Sequence, residues 1–187
     1  MKLNPLALNG AFLIIPEQRG DNRGFFARCF SSDVFRKAGL VTSYPEWSLS
    51  HNARRGTVRG LHWQAHPNLE TKLVQCTRGA IYDVIVDLRP HSQDFGKWIA
   101  VELSERNRHL LYVPAGFAHG FQSLEDQSEV YYHISEVYRP ESARGVRWND
   151  SDLAIDWHET DQLIISERDA NLPFLSECRD NDGVGTT

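Results

Sequence analysis

"KLVQCTRGAIYDVIVDLR", residues 72–89, decides how this chain folds. It holds two runs rich in β-formers, broken at Arg78-Gly79, a turn signal. The reading is a pair of strands joined by a tight turn. The flanking stretches behave alike. "KWIAVELS" (97–104) alternates, with Trp98, Ala100 and Glu102 on one face and Ile99, Val101 and Leu103 on the other. "RHLLYVP" (108–114) stops at Pro114, and "SEVYYHISEVY" (128–138) is β-branched and aromatic. Strands spaced at roughly 8–12 residues with short turns predict an antiparallel sandwich or barrel. Helical periodicity is confined to "SSDVFRKAGL" (31–40), where Ser31 or Ser32 supplies the N-cap and Gly39 the stop. The expected fold is mostly β, a small jelly roll with a few short peripheral helices.

A chain of 187 residues suits one domain with a sizeable core. We expect that domain to cover residues 1–177 and the polar, glycine-rich "CRDNDGVGTT" (178–187) to be a flexible tail. Hydrophobic residues make up 41% and charged residues 24%, as in an ordinary globular protein. No apolar run approaches the ~20 residues of a membrane span, and "MKLNPLALNGAFLIIP" reads as mature chain, not as a signal peptide. The expected location is the cytoplasm. The cysteines Cys29, Cys76 and Cys178 are odd in number and lack CxxC spacing, which points to reduced thiols. A net charge of −5 argues against nucleic-acid binding. Arg19, Arg23, Arg28, Arg54, Arg55 and Arg59 nevertheless cluster in the first third, as either a solvated basic face or an anion site.

Two histidine-bearing stretches raise the question of chemistry: "GTVRGLHWQAHPNLETK" (56–72) and "VPAGFAHGF" (113–121). A metal is the first reading. "PAGFAH" resembles the turn that delivers a histidine into cupin-type barrels (double-stranded β-helices), which often bind a metal. Two imidazoles on one strand face require His-x-His, but the residue two after His62 is Gln64, a poor ligand for metals that favour imidazole. His66 falls beside Pro67, and Glu70 would be an improvised ligand. The pattern therefore fails and no metal is expected. General-base chemistry is the second reading. His62 follows "VRGL", and Gly60 allows close approach of a backbone or substrate. Lys72, in the next strand, suits an enolate oxygen, and either Tyr131 or Tyr132 faces inward to return a proton. The spacing does not identify a carboxylate partner for His62. The third reading is an inert barrel whose histidines are hydrogen-bonded core.

At these residues the chain resembles the dTDP-4-dehydrorhamnose 3,5-epimerase family, enzymes acting on nucleotide-linked 4-keto-6-deoxy sugars. The matching segments include "GDNRGFF" (20–26), "GTVRGLHWQ" (56–64), residues 72–89, "VPAGFAHGF" (113–121), "YRPESARGVRWND" (138–150) and "LIISERDANLPFL" (163–175). They span almost the whole chain in order. The resemblance implies a metal-free, cofactor-free jelly-roll homodimer that inverts C3, C5 or both through an enolate, in deoxysugar and polysaccharide biosynthesis. It implies that Asp169 pairs with the base His62, that Lys72 lies by the keto oxygen, and that Tyr132 is the general acid. Arg23 and Arg59 match phosphate ligands, with Arg23 serving the partner's site. Phe26 and His119 match substrate contacts, and Tyr138 matches an aromatic residue of the nucleotide pocket.

The departures from the family pattern gather at positions expected to read the base. Arg19 stands for a phenylalanine, Arg28 for a glutamate, and Trp47 and Leu49 for the glutamine and asparagine of "QDN". His133 stands for a lysine and Ala143 for a glutamate. Two alternatives follow: inversion of a single carbon on a non-thymidine sugar, such as a CDP-linked one, or a non-catalytic or metal-dependent cupin.

Overall fold

The computed structural model describes residues 1–178, and residues 179–187, which include most of the expected tail, lie outside the described residues. Among the described residues, thirteen strands, two short α-helices and a 3-10 turn at Leu175–Glu177 make up the regular structure. β1 (Lys2–Pro5), β2 (Phe12–Ile15), β10 (Leu110–Val113), β7 (Lys72–Arg78), β12 (Ser128–Ile134) and β5 (Glu46–Asn52) form a six-stranded sheet in the order β1-β2-β10-β7-β12-β5. β13 (Ala143–Gly145), β6 (Val58–Gln64), β11 (Phe117–Ser123), β8 (Ala80–Asp87) and β9 (Trp98–Ser104) form a five-stranded sheet in the order β13-β6-β11-β8-β9. The hairpin β3 (Gln18–Asp21) and β4 (Gly24–Ala27) pairs only with itself. All the paired strands are antiparallel. This is the jelly roll of cupin type expected from the strand pattern.

The break at Arg78-Gly79 is the turn between β7 and β8, with Gly79 at φ +69°. A β-carbon there would lie 2.6 Å from Ser128 Oγ, so both the turn and the packing ask for glycine. Val74 and Cys76 of β7, Ile81 and Ile85 of β8, Leu103 of β9 and Val130 of β12 meet in the central core between the sheets. Burying ~150 Å² of apolar surface per side chain at roughly 25 cal/mol/Å² makes this layer the main source of cohesion.

Both sheets are covered on the outside too, which is why their strands are apolar on both faces. The five-stranded sheet turns Leu61, Trp63, Val84 and Val86 toward the C-terminal wrap, meeting Val146, Leu153 and Cys178. Cys178, the last described residue, is buried. α1 (Ser32–Lys37) covers part of the six-stranded sheet, driving the fully buried Phe35 against Ile14, Leu73, Leu110 and Tyr112. Ser31 occupies its N-cap position with extended backbone but makes no side-chain cap bond, and Gly39 leaves the helix at φ +72°. α2 (Glu167–Ala170) is a single turn, too short for a periodic pattern, capped by Ser166 Oγ accepting from the Asp169 N–H at 3.1 Å.

Candidate active site

The cavity is lined from both sheets and from α2. Its volume is about 390 Å³, and its lining includes Arg59, His62, Lys72, His119, Tyr132 and Asp169, together with Ser48, Ser166 and Arg168. His62 of β6 and His119 of β11 are direct register partners on the five-stranded sheet. Lys72 of β7 and Tyr132 of β12 come from the six-stranded sheet. Groups able to take and to give a proton thus stand on opposite walls.

β6 and β11 approach unusually closely here. Gly60 sits at φ +103°, and a β-carbon on it would lie 2.7 Å from Gly120 Cα and from the His119 carbonyl oxygen. The freed Gly60 N–H donates to Asp169 Oδ2 at 3.1 Å, while Asp169 Oδ1 meets His62 Nε2 at 2.9 Å. With Nε2 engaged by the carboxylate, Nδ1 is the nitrogen left to act as base. Burial pushes the Asp169 carboxyl up. The hydrogen bond and charge of His62, the Gly60 N–H and the Arg168 charge more than offset that and hold it below the ordinary aspartate range. Asp169 therefore stays ionised and is ready to stabilise an imidazolium.

His119 is almost fully buried and pairs with the wholly buried Asp83 at 2.7 Å. Asp83 Oδ2 has no hydrogen-bond partner among the described residues. The His119 ring stands edge-to-face with Tyr132, their centroids 6.0 Å apart. Burial, together with the Asp83 charge, raises the Tyr132 phenol well above the ordinary tyrosine range, against the opposing pull of the Ser50 hydroxyl and Arg59. Tyr132 is thus held protonated, in the form that has a proton to give. Lys72 Nζ meets Glu70 Oε1 at 2.9 Å and donates to the His62 carbonyl at 3.3 Å. Arg59 is fixed by its Nε–H to Asn52 Oδ1 at 2.8 Å and by a second donor to the His51 carbonyl.

The other residues singled out from the sequence do not line this cavity. Arg19, Phe26 and Arg28 border a separate hollow with Met1, Glu17 and Val34. Arg23 is exposed at the hairpin tip and held to Asp21 by a bidentate pair. Tyr138 is exposed, its N–H bonded to Glu46 Oε2. Trp47 points away from the cavity. Strand alternation puts Ser48 inside opposite Tyr132, and Trp47 outside opposite His133, with which its ring makes an edge contact at 4.6 Å. Leu49 lies opposite Tyr131 on that same outer face. Of the departures on β5 and β12, Trp47, Leu49 and His133 therefore cluster on the outside of the sheet.

The proposed metal donors are engaged elsewhere. Gln64 accepts from the Arg139 N–H at 2.6 Å and donates to the Val137 carbonyl at 3.3 Å. His66 is exposed and Glu70 is paired with Lys72. Among the described residues no group of three His, Cys, Asp or Glu is placed to hold a metal.

The family profile for dTDP-4-dehydrorhamnose 3,5-epimerase matches residues 5–177. The chain belongs to that family. It is similar to the dTDP-4-dehydrorhamnose 3,5-epimerase of Sinorhizobium fredii, with 41% identity over 95% of this chain and 91% of that one. It also matches a crystal structure of the Bacillus anthracis 3,5-epimerase with TDP and PPi bound, at 42% identity and TM-score 0.89, covering 92% of this chain and 98% of that chain. A Streptomyces niveus dTDP-4-dehydrorhamnose 3-epimerase shares 39% identity over 96% of this chain and 86% of its own. Members of this epimerase family named for one inverted carbon and for two are thus almost equally similar to the chain. Sequence reasoning weighed Glu70 only as a metal ligand and missed its pairing with Lys72; it also missed Asp83, the partner of His119, and Ser48, Ser166 and Arg168, which line the cavity. The Ser166-x-x-Asp169 spacing was the one local signal available for α2.

Proposed function

We propose that the protein inverts C3, C5 or both in a nucleoside-diphosphate-linked 4-keto-6-deoxyhexose. The observation that carries this reading is the placement of the His62–Asp169 pair and Tyr132 on opposite sheets, with the Lys72 ammonium beside them. Protons on C3 and C5 are acidic because each flanks the C4 ketone. His62 Nδ1 takes one such proton, and the charge that forms on the imidazole is met by Asp169. The electron pair moves onto O4, where Lys72 stabilises the enolate. Tyr132 then protonates the carbon from the opposite face, which inverts it. His62 loses its proton and Tyr132 regains one through solvent, closing the cycle. Each positioned acid or base typically contributes ~10²–10⁴-fold.

The diphosphate is a ligand for Arg59 and Arg168 at the cavity. The exposed hairpin side chains Arg19, Arg23, Phe26 and Arg28 contribute by reaching the cavity of a second copy, so the working unit is a homodimer. Trp47 faces away from the cavity of its own chain, which leaves Arg19 and Arg28 as the departures that bear on the base. Two arginines offer donors, and cytosine presents an unprotonated N3 and an O2 where thymine presents an N3–H. Activity without metal or cofactor, in the cytoplasm and apart from nucleic acid, completes the reading. No helix among the described residues is long and apolar enough to cross a membrane.

Proton NMR of dTDP-, CDP-, GDP- and UDP-4-keto-6-deoxyhexoses incubated with enzyme in D₂O tests all of this at once. Deuterium should enter at C3, C5 or both for one nucleotide, and EDTA should not stop it. Absence of exchange with every sugar would refute the reading, and a clear preference for dTDP over CDP would refute a shift of base.

A further inference from the structure

Lys72 is nearly buried, yet it carries an ammonium group into a cavity already rich in positive charge. The other ionisable groups facing that cavity are Arg59 and His62 from β6, His119 from β11, Tyr132 from β12, and Arg168 and Asp169 from α2. The Asp169 carboxylate is taken by His62 and Gly60, and behind His119 the Asp83 carboxylate is taken by that imidazole. Among the described residues, the carboxylate paired with Lys72 is that of Glu70. It stands just before β7, 2.9 Å from Nζ, and the Glu70 and Lys72 side chains are only 9% and 10% exposed. An ammonium removed from water sheds its proton unless an opposite charge compensates. A neutral amine would still fill the space and could still donate a hydrogen bond, but it would carry no charge to meet the enolate oxygen.

We propose that Glu70 is a positioning residue that keeps Lys72 charged and aimed at the substrate's keto oxygen. Glu70 does not line the cavity and acts only through the ammonium. The catalytic part of this proposal rests on the keto-sugar reading above, whereas the charge on Lys72 can be tested without any substrate.

The experiment compares wild type with Glu70→Gln, which keeps shape and hydrogen bonding but removes the charge. The chain has four lysines (Lys2, Lys37, Lys72, Lys97), so ¹³Cε-labelled lysine gives few signals, and Lys72→Arg assigns the one that matters. In the free protein the Lys72 signal of Glu70→Gln should leave its charged-state position at a lower pH than that of wild type. Glu70→Asp, which retains the charge, should stay nearer wild type and guards against a folding defect in the glutamine variant. With a turned-over 4-keto sugar, the basic limb of the kcat profile should move the same way, with KM changed less than about threefold. An unchanged Lys72 titration in a folded Glu70→Gln protein would overturn the proposal. If wild type exchanges deuterium into no sugar, the epimerase reading fails, and the titration still decides the Glu70–Lys72 coupling.

Discussion

Asp169→Asn should be more damaging than its near-identical shape suggests. The carboxylate makes two contacts, Oδ1 with His62 Nε2 at 2.9 Å and Oδ2 with the Gly60 N–H at 3.1 Å. The Gly60 N–H is buried and requires an acceptor, so the asparagine oxygen must face it. The amide NH₂ then faces Nε2 and donates to it. That places the imidazole proton on Nδ1, the nitrogen that has to act as base, and so holds His62 in the wrong tautomer. The charge that stabilised the imidazolium is lost as well. A charge-assisted hydrogen bond contributes ~1.5–3 kcal/mol. The Coulomb attraction of such a pair approaches ~4 kcal/mol at an effective dielectric of about 20. His62 is 37% exposed on its side chain, which favours the lower part of that range. At ~1.4 kcal/mol per decade, the lower part of that range makes kcat for deuterium exchange fall ~10–10²-fold. KM should change little, because Asp169 holds the imidazole while the proposed function gives the phosphates to the arginines. Asp169→Ala should be no slower than Asp169→Asn, since it frees the tautomer, but it should lower stability by ~1–3 kcal/mol by leaving the Gly60 N–H unpaired. Exchange followed by proton NMR in D₂O measures the rates and thermal unfolding measures the stability. An Asp169→Asn enzyme within about threefold of wild type would refute the tautomer argument.

Tyr132→Phe should keep deuterium exchange at the sugar while losing most inversion, because His62 can still remove and return a proton on its own face; joint loss of both in the NMR time course would show that the phenol acts earlier. Gly60→Ala should cost about 3 kcal/mol or more, from a β-carbon 2.7 Å from Gly120 Cα and a φ of +103°, and calorimetry should read a fall of roughly 6–12 °C in Tm or a failure to fold. Acid should unfold the protein through Asp87 and Asp169. Burial raises both carboxyls, but Arg89 and Ser92 around Asp87, and His62 and Gly60 around Asp169, bring them below the ordinary range. Their stabilisation is complete above the unfolded aspartate pKa of about 3.9 and is lost as pH falls through the lower folded values. Tm should therefore decline below about pH 4, and Asp87→Asn, weaker at neutral pH, should decline less steeply.

The strands, the turn at Arg78-Gly79 and the place of α1 were legible because they depend on neighbours in sequence: alternation, a glycine in a left-handed turn, a short amphipathic stretch. His62 and Lys72 stood out as inward-facing candidates for the same reason, whereas alternation left Tyr131 and Tyr132 open and only the family resemblance chose Tyr132. The match of "SERDANLP" to a family pattern pointed to Asp169, but no periodicity placed it. Its helix is one turn long, and 107 residues separate it from His62. On β5 the resemblance put Trp47 and Leu49 among the base-reading positions, whereas pairing with β12 puts Ser48 inside and those two outside. A one-residue slip reverses a strand's faces, and a lone sequence does not fix that register. Asp83 meets His119 only through the pairing of β8 with β11, which the sequence does not state, and Glu70, two residues from Lys72, is placed by the conformation of the segment before β7. Local chemistry set the elements and the inward-facing His62 and Lys72. Which carboxylate sits beside which imidazole was decided only in the tertiary structure, where the pairing of β8 with β11 sets Asp83 by His119 and the return of α2 sets Asp169 by His62, because desolvation penalises a buried charge left without a partner.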